Sequence, residues 1–101
     1  MKNILLFSFI LSSASLFAQK NARVVFYNVE NLFDTLDTPN QADEEYLPTA
    51  EKNWNSEKYW EKIAHINKVM NEFDNIALMG VCEIENKAVL IDVVKGQKQK
   101  L

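Results

Sequence analysis

Ile76-Ala-Leu-Met-Gly-Val-Cys-Glu83-Ile-Glu85-Asn86 runs from an unbroken apolar segment straight into two acids. A short, continuous apolar run reads as a strand covered on both faces. A carboxylate at the mouth of such a strand is costly unless a proton, a cation or a hydrogen-bond donor answers it. The carboxyl edge of a parallel sheet is also where α/β enzymes present metal ligands and general acids or bases. Glu83 is therefore a candidate site residue.

Working upstream, Arg23-Val-Val-Phe-Tyr-Asn28 has the same character and also ends in a polar group. Between the two runs, Tyr59, Ile63, Ile66, Met70 and Phe73 recur at spacings of four and three, one apolar stripe of a helix. Ser56 is expected to cap that helix, with Glu57 in its first turn, and Asp74-Asn75 to end it. Strand, helix, strand is a βαβ unit, with parallel strands linked right-handedly. Parallel strands finish on the same edge, so Asn28 and Glu83 are expected to reach one carboxyl rim within a single ligand's span.

Residues 34–55 form a long acidic connection containing both prolines, Pro39 and Pro48. Loops of this length are uncommon in compact domains and often functional. Its acids lack the alternation and mid-loop glycine of an EF-hand, so calcium is not expected there. Trp54, Tyr59 and Trp60 are expected to seat this loop on the helix. Downstream, Asn86 is placed to cap a second helix through Val94, with Gly96 as its stop.

The first 18 residues stand apart. Lys2 precedes an apolar stretch from Ile4 to Leu11 and then small residues, the pattern of a secretory signal peptide. Cleavage is expected after Ala18, with Ala14 as the alternative. The apolar run falls short of the roughly 18 residues that a membrane span requires. The expectations are export to the periplasm or the medium, and no stable membrane insertion once the leader is removed. Residues 19–101 then make up the folded part.

The 101-residue chain has a formal net charge of −3, and the leader contributes a lysine and no acid. Such a balance excludes the broad basic surface of sequence-independent nucleic-acid binders. It leaves phosphoester substrates open, because a bound divalent cation reverses the local field. Cys82 is the single cysteine, so no internal disulfide can form, and within an apolar run it reads as a small buried hydrophobe. With only Gly80 and Gly96, the chain has no glycine-rich phosphate loop. The single histidine, His65, lies in the helix beside the apolar stripe and reads as partly exposed rather than catalytic.

Each site residue has a plainer reading. Glu83 can be a strand-end carboxylate turned to solvent. Asn28 can be one of the asparagines common where strands turn into loops. Against these, one carboxylate suffices to anchor Mg2+, which keeps several waters, and a neutral amide orients a phosphoryl oxygen or bound water without adding charge. Glu85 faces the same way as Glu83 if the backbone stays extended, yet a solvated loop charge is the expected role, and Glu30 shares that ambiguity.

Phe26-Tyr-Asn-Val-Glu-Asn-Leu-Phe-Asp34 together with Gly80-Val-Cys-Glu-Ile-Glu-Asn86 resembles the start of the endonuclease/exonuclease/phosphatase family, and especially its exported members in Bacteroidetes-type bacteria. The resemblance spans Arg23 to Lys95. It implies a four-layer α/β sandwich, of which this chain would supply the N-terminal βαβ portion. It implies Asn28 and Glu83 as catalytic and metal-binding residues for Mg2+ or Mn2+. The implied reaction is metal-assisted hydrolysis of a phosphoester, in nucleic acid, phosphoinositide, sphingomyelin or a smaller phosphate. The family's later Asp/Asn pair, its histidine and the acid orienting that histidine have no counterpart before Leu101. The expectation is a truncated copy, inactive and poorly folded alone, with no oligomer. The competing expectation is a small exported, non-enzymatic α/β domain that binds a partner or sugar through Trp54, Tyr59 and Trp60.

Overall fold

The computed structural model describes residues 21–100, so the leader and its cleavage site lie outside the described residues. Strand β1 (Arg23–Leu32) is followed by a short 3-10 turn (Glu44–Tyr46), helix α1 (Ser56–Met70), strand β2 (Ile76–Ile84) and helix α2 (Lys87–Lys95). The two strands pair in parallel, running from Arg23 opposite Ile76 to Leu32 opposite Ile84. The expected mixed α/β arrangement is thus present.

The core is the side on which both helices lie. Val29 and Leu32 from β1, Tyr59, Ile63, Ile66 and Met70 from α1, Ile76 from β2, and Val89 and Val93 from α2 are buried together. Val25, Tyr27, Met79 and Val81 pack against them from the sheet. Alternate residues go the other way: Val24, Phe26 and Leu78 are 67%, 74% and 63% exposed. The helices among the described residues reach one face of the sheet only, so the other apolar face lies open. Cys82 is half-buried and free, less enclosed than expected.

Three boundaries differ from the sequence reading. β1 continues past Asn28, because Val29 and Leu32 belong to the core and draw the chain back into pairing after an irregular stretch. The α1 cap is Asn55, whose side chain accepts from the Lys58 amide at 3.0 Å, and Ser56 is the first helical residue. The helix ends at Met70, so Phe73 leaves the stripe; it is 40% exposed, with the Arg23 guanidinium 5.8 Å from its ring centre.

Asn75, at φ 55°, turns the chain into β2, and its carbonyl accepts from the Arg23 amide to start the ladder. Asparagine tolerates this left-handed backbone better than most residues. Helix α2 is capped by Asn86, which accepts from the Val89 amide, and stops at Gly96 as expected. Gly96 has ordinary φ, and a Cβ there would lie 2.0 Å from the Asn67 side-chain nitrogen, so any other residue would displace Asn67.

Candidate active site at the carboxyl rim

Because β1 and β2 are adjacent and parallel, Asn28 lies opposite Cys82 and next to Glu83. The Asn28 Nδ2 donates to Glu83 Oε1 at 2.9 Å. Asn28 Oδ1 accepts from the Glu30 backbone N–H at 2.8 Å. That N–H can only donate, which fixes the amide orientation and leaves Nδ2 facing the carboxylate. Both side chains are exposed, and Glu83 Oε2 takes no hydrogen bond from the described residues. The two residues singled out from sequence therefore meet on one rim, with an acid oriented by a neutral donor and one oxygen left open.

The backbone here is strained. Glu83 has φ 58° within β2, and Glu30 and Asn31 follow Asn28 at φ 54° and 57°. Left-handed backbone costs a residue such as glutamate about 1–2 kcal/mol, so Glu30 and Glu83 need support elsewhere, while Asn31 tolerates the conformation better. Strain of this kind clusters where function requires a fixed geometry. The turn at Glu83 also breaks the two-residue alternation on which the sequence reading of Glu85 depends. Rather than facing the same way as a spare acid, Glu85 accepts from the Asp34 amide at 2.8 Å and from the Thr38 hydroxyl at 3.0 Å.

Glu85 is thus not a solvated loop charge but the clasp of the long acidic connection. Asp34 Oδ2 accepts from Asn86, and its Oδ1 from the Leu36 amide. Buried Asp43 accepts from the Thr38 amide at 3.0 Å, while its other oxygen is enclosed without a partner. Trp54 seats the loop as expected, donating to the Phe33 carbonyl at 2.8 Å and meeting Tyr46 edge-on. Tyr59 and Trp60 do not share that task. Tyr59 is buried and donates to Asp92 on α2 at 2.8 Å, while Trp60 is 52% exposed and touches the edge of Tyr59. Burial, and then the Asp92 carboxylate, push the Tyr59 phenol well above the ordinary tyrosine range.

Lys62 is the residue that periodicity could not single out. It reaches from α1 to the Glu30 carbonyl and, at 3.4 Å, to the Asn31 carbonyl, with its ammonium 5.8 Å from the Trp54 ring centre. Burial holds its pKa below the usual lysine range, while the negative charges of Glu30 and Glu83 act in the opposite direction. A lysine on the flank of a helix reads from sequence as a solvated charge, and only the approach of α1 to the bent end of β1 gives it a partner. His65 is exposed on α1 and lines a groove of about 230 Å³ with Asn28, Glu30 and Lys62, without a hydrogen bond to Asn28 or Glu83.

The donor set suits a hard cation held largely by water. Among the described residues no three Asp, Glu, His or Cys side chains converge on a metal-sized site. Glu83 offers one open carboxylate oxygen, and the Asn28 carbonyl oxygen keeps a second lone pair after serving Glu30. Mg2+ is bound in this manner, through one or two side chains with the remaining positions filled by water and substrate phosphate, whereas calcium takes six to eight oxygens.

The profile of the Endonuclease/Exonuclease/phosphatase family matches residues 23–101. Most of the chain is covered, and the chain belongs to this family. No curated protein and no solved structure matches the chain. Family membership brings hydrolase chemistry of the nuclease and phosphatase type into view for the paired rim residues. No helix among the described residues is long and apolar enough to cross a membrane.

Proposed function

We propose that Glu83 and Asn28 hold a divalent cation, Mg2+ or Mn2+, in the service of phosphoester hydrolysis. The observation that carries this reading is the 2.9 Å contact between the Asn28 amide and Glu83, whose own backbone is left-handed. Glu83 supplies the charged ligand through its open oxygen. Asn28 fixes the carboxylate rotamer and presents a neutral dipole to a phosphoryl oxygen or bound water without repelling it. When bound, such a cation stabilises charge developing on the phosphoryl group and lowers the pKa of an attacking water. Nucleic acid is one candidate substrate class, and the net negative charge of the chain makes the cation, rather than a basic surface, the point of attraction.

Hydrolysis also needs a group to take the water's proton. None of the described residues is bonded to the Asn28–Glu83 pair in that role, and His65, in the groove beside Asn28, makes no hydrogen bond to either residue. The chain alone is therefore expected to bind the cation without turning over substrate. Titration of Mn2+ into the full chain, followed by the electron paramagnetic resonance of the free ion, tests the first part. Binding in the wild type that vanishes in Glu83→Gln supports the reading, and equal binding in both ends it. Incubation with a chromogenic phosphodiester tests the second part; Glu83-dependent turnover would mean that the described residues suffice. We also propose export through residues 1–18, which N-terminal sequencing of the secreted product would check.

A further inference from the structure

We propose that Lys62 is a positioning residue for the Asn28–Glu83 pair, its ammonium holding the Glu30–Asn31 turn in the shape that aims the Asn28 amide at Glu83. This rests on the reading of that pair as a cation site.

The links are continuous. Lys62 donates to the Glu30 and Asn31 carbonyls. These residues are the consecutive left-handed pair, a conformation that glutamate disfavours and asparagine tolerates better. The Glu30 N–H of the same turn donates to Asn28 Oδ1, and Asn28 Nδ2 then donates to Glu83. Without the lysine, the turn can relax to ordinary φ and carry the Glu30 N–H away from Asn28. The Asn28 amide would then be free to rotate and set its own oxygen against the Glu83 carboxylate. Trp54, which flanks the ammonium, is itself tied to the Phe33 carbonyl, so the clamp has a fixed wall behind it.

The sign of the effect separates positioning from simple charge. Lys62 is a cation close enough to feel Glu83. If it acted only through space, neutralising it would remove a repulsion and tighten divalent-cation binding. A positioning role demands the opposite, because removing groups that orient metal ligands weakens affinity by about 10–100-fold.

The experiment uses the full chain and Mn2+ alone, with Lys62→Met, Lys62→Arg, and Lys62→Met combined with Asn31→Gly. The expected results are Mn2+ affinity about 10-fold or more weaker in Lys62→Met, and substantial recovery in Lys62→Arg. The loss should be smaller in the Asn31→Gly background, where glycine adopts the turn without help. Hydrogen exchange at the Glu30 amide should accelerate in Lys62→Met with or without Mn2+. Unchanged or tighter Mn2+ binding in Lys62→Met, or unchanged Glu30 exchange, overturns the proposal. If the wild type binds no Mn2+, the cation reading fails, and the exchange measurement by itself still decides whether Lys62 holds the turn. Should Lys62→Met not fold, Lys62→Arg and the double variant carry the same comparison.

Discussion

Glu83 and Glu85 stand two residues apart at the end of β2, yet they belong to regions built on different terms. Glu85, with Asp34, Thr38 and Asp43, closes the long acidic loop, and both of its oxygens are engaged within the protein. Glu83, with Asn28 and the left-handed Glu30–Asn31 turn, lies exposed on the rim with one oxygen unengaged and its backbone strained. A carboxylate whose hydrogen bonds are satisfied internally stabilises the fold, and removing it leaves donors unpaired. A carboxylate held at conformational cost with an open oxygen suits a ligand from outside.

The largest expected effect breaks both regions together. Leu32 is fully buried, and its carbonyl accepts from the Glu85 amide, so it joins the rim to the clasp. Leu32→Ala should cost about 2–5 kcal/mol in urea unfolding of the full chain. A loss below about 1 kcal/mol would mean that the two strand ends are not coupled through the core. Next comes the contrast itself. Glu85→Ala removes the acceptors of the Asp34 amide and the Thr38 hydroxyl and should cost about 1–3 kcal/mol. Glu83→Gln should stay within about 0.5 kcal/mol, because Gln still accepts from Asn28 and the rest of the side chain is exposed. Similar losses for the two would erase the distinction.

A pH measurement sharpens the clasp side. Asp34 and Glu85 add to the burial and the Asp92 contact that raise the Tyr59 pKa. A phenol whose folded value lies above its unfolded value of about 10 contributes stability that is complete below that pH. The contribution is lost as pH climbs through the window above it, because the unfolded chain ionises first. Wild-type stability should fall from about pH 10 upward, and Tyr59→Phe should flatten that fall while losing about 1 kcal/mol at neutral pH. An identical decline in both proteins would assign it to other groups. A small change is also expected for Glu83→Gly. Relief of left-handed strain and the added freedom of the unfolded chain nearly cancel, leaving stability within about 1 kcal/mol while cation binding disappears. A loss well beyond that would show that the Glu83 side chain supports the fold.

Much of this is legible in the sequence. Apolar runs ending at Asn28 and Glu83, with a stripe at helical spacing between them, imply parallel neighbouring strands with polar tips on one rim, and the 2.9 Å contact follows that logic. Asn86 as a cap and Gly96 as a stop were equally readable, because capping is local chemistry. Glu85 and Lys62 were not. Their partners lie 51 and 32 residues away, at Asp34 and Glu30, and such pairings leave no periodic trace.

The sequence by itself determined the alternation of strand and helix and which residues arrive at the carboxyl edge, because hydrophobic period and chain direction are local properties. Only the tertiary structure decided which of two nearby acids faces outward. That choice depends on left-handed turns at Glu30, Asn31 and Glu83, and a glutamate enters that conformation only when packing and distant hydrogen bonds hold it there.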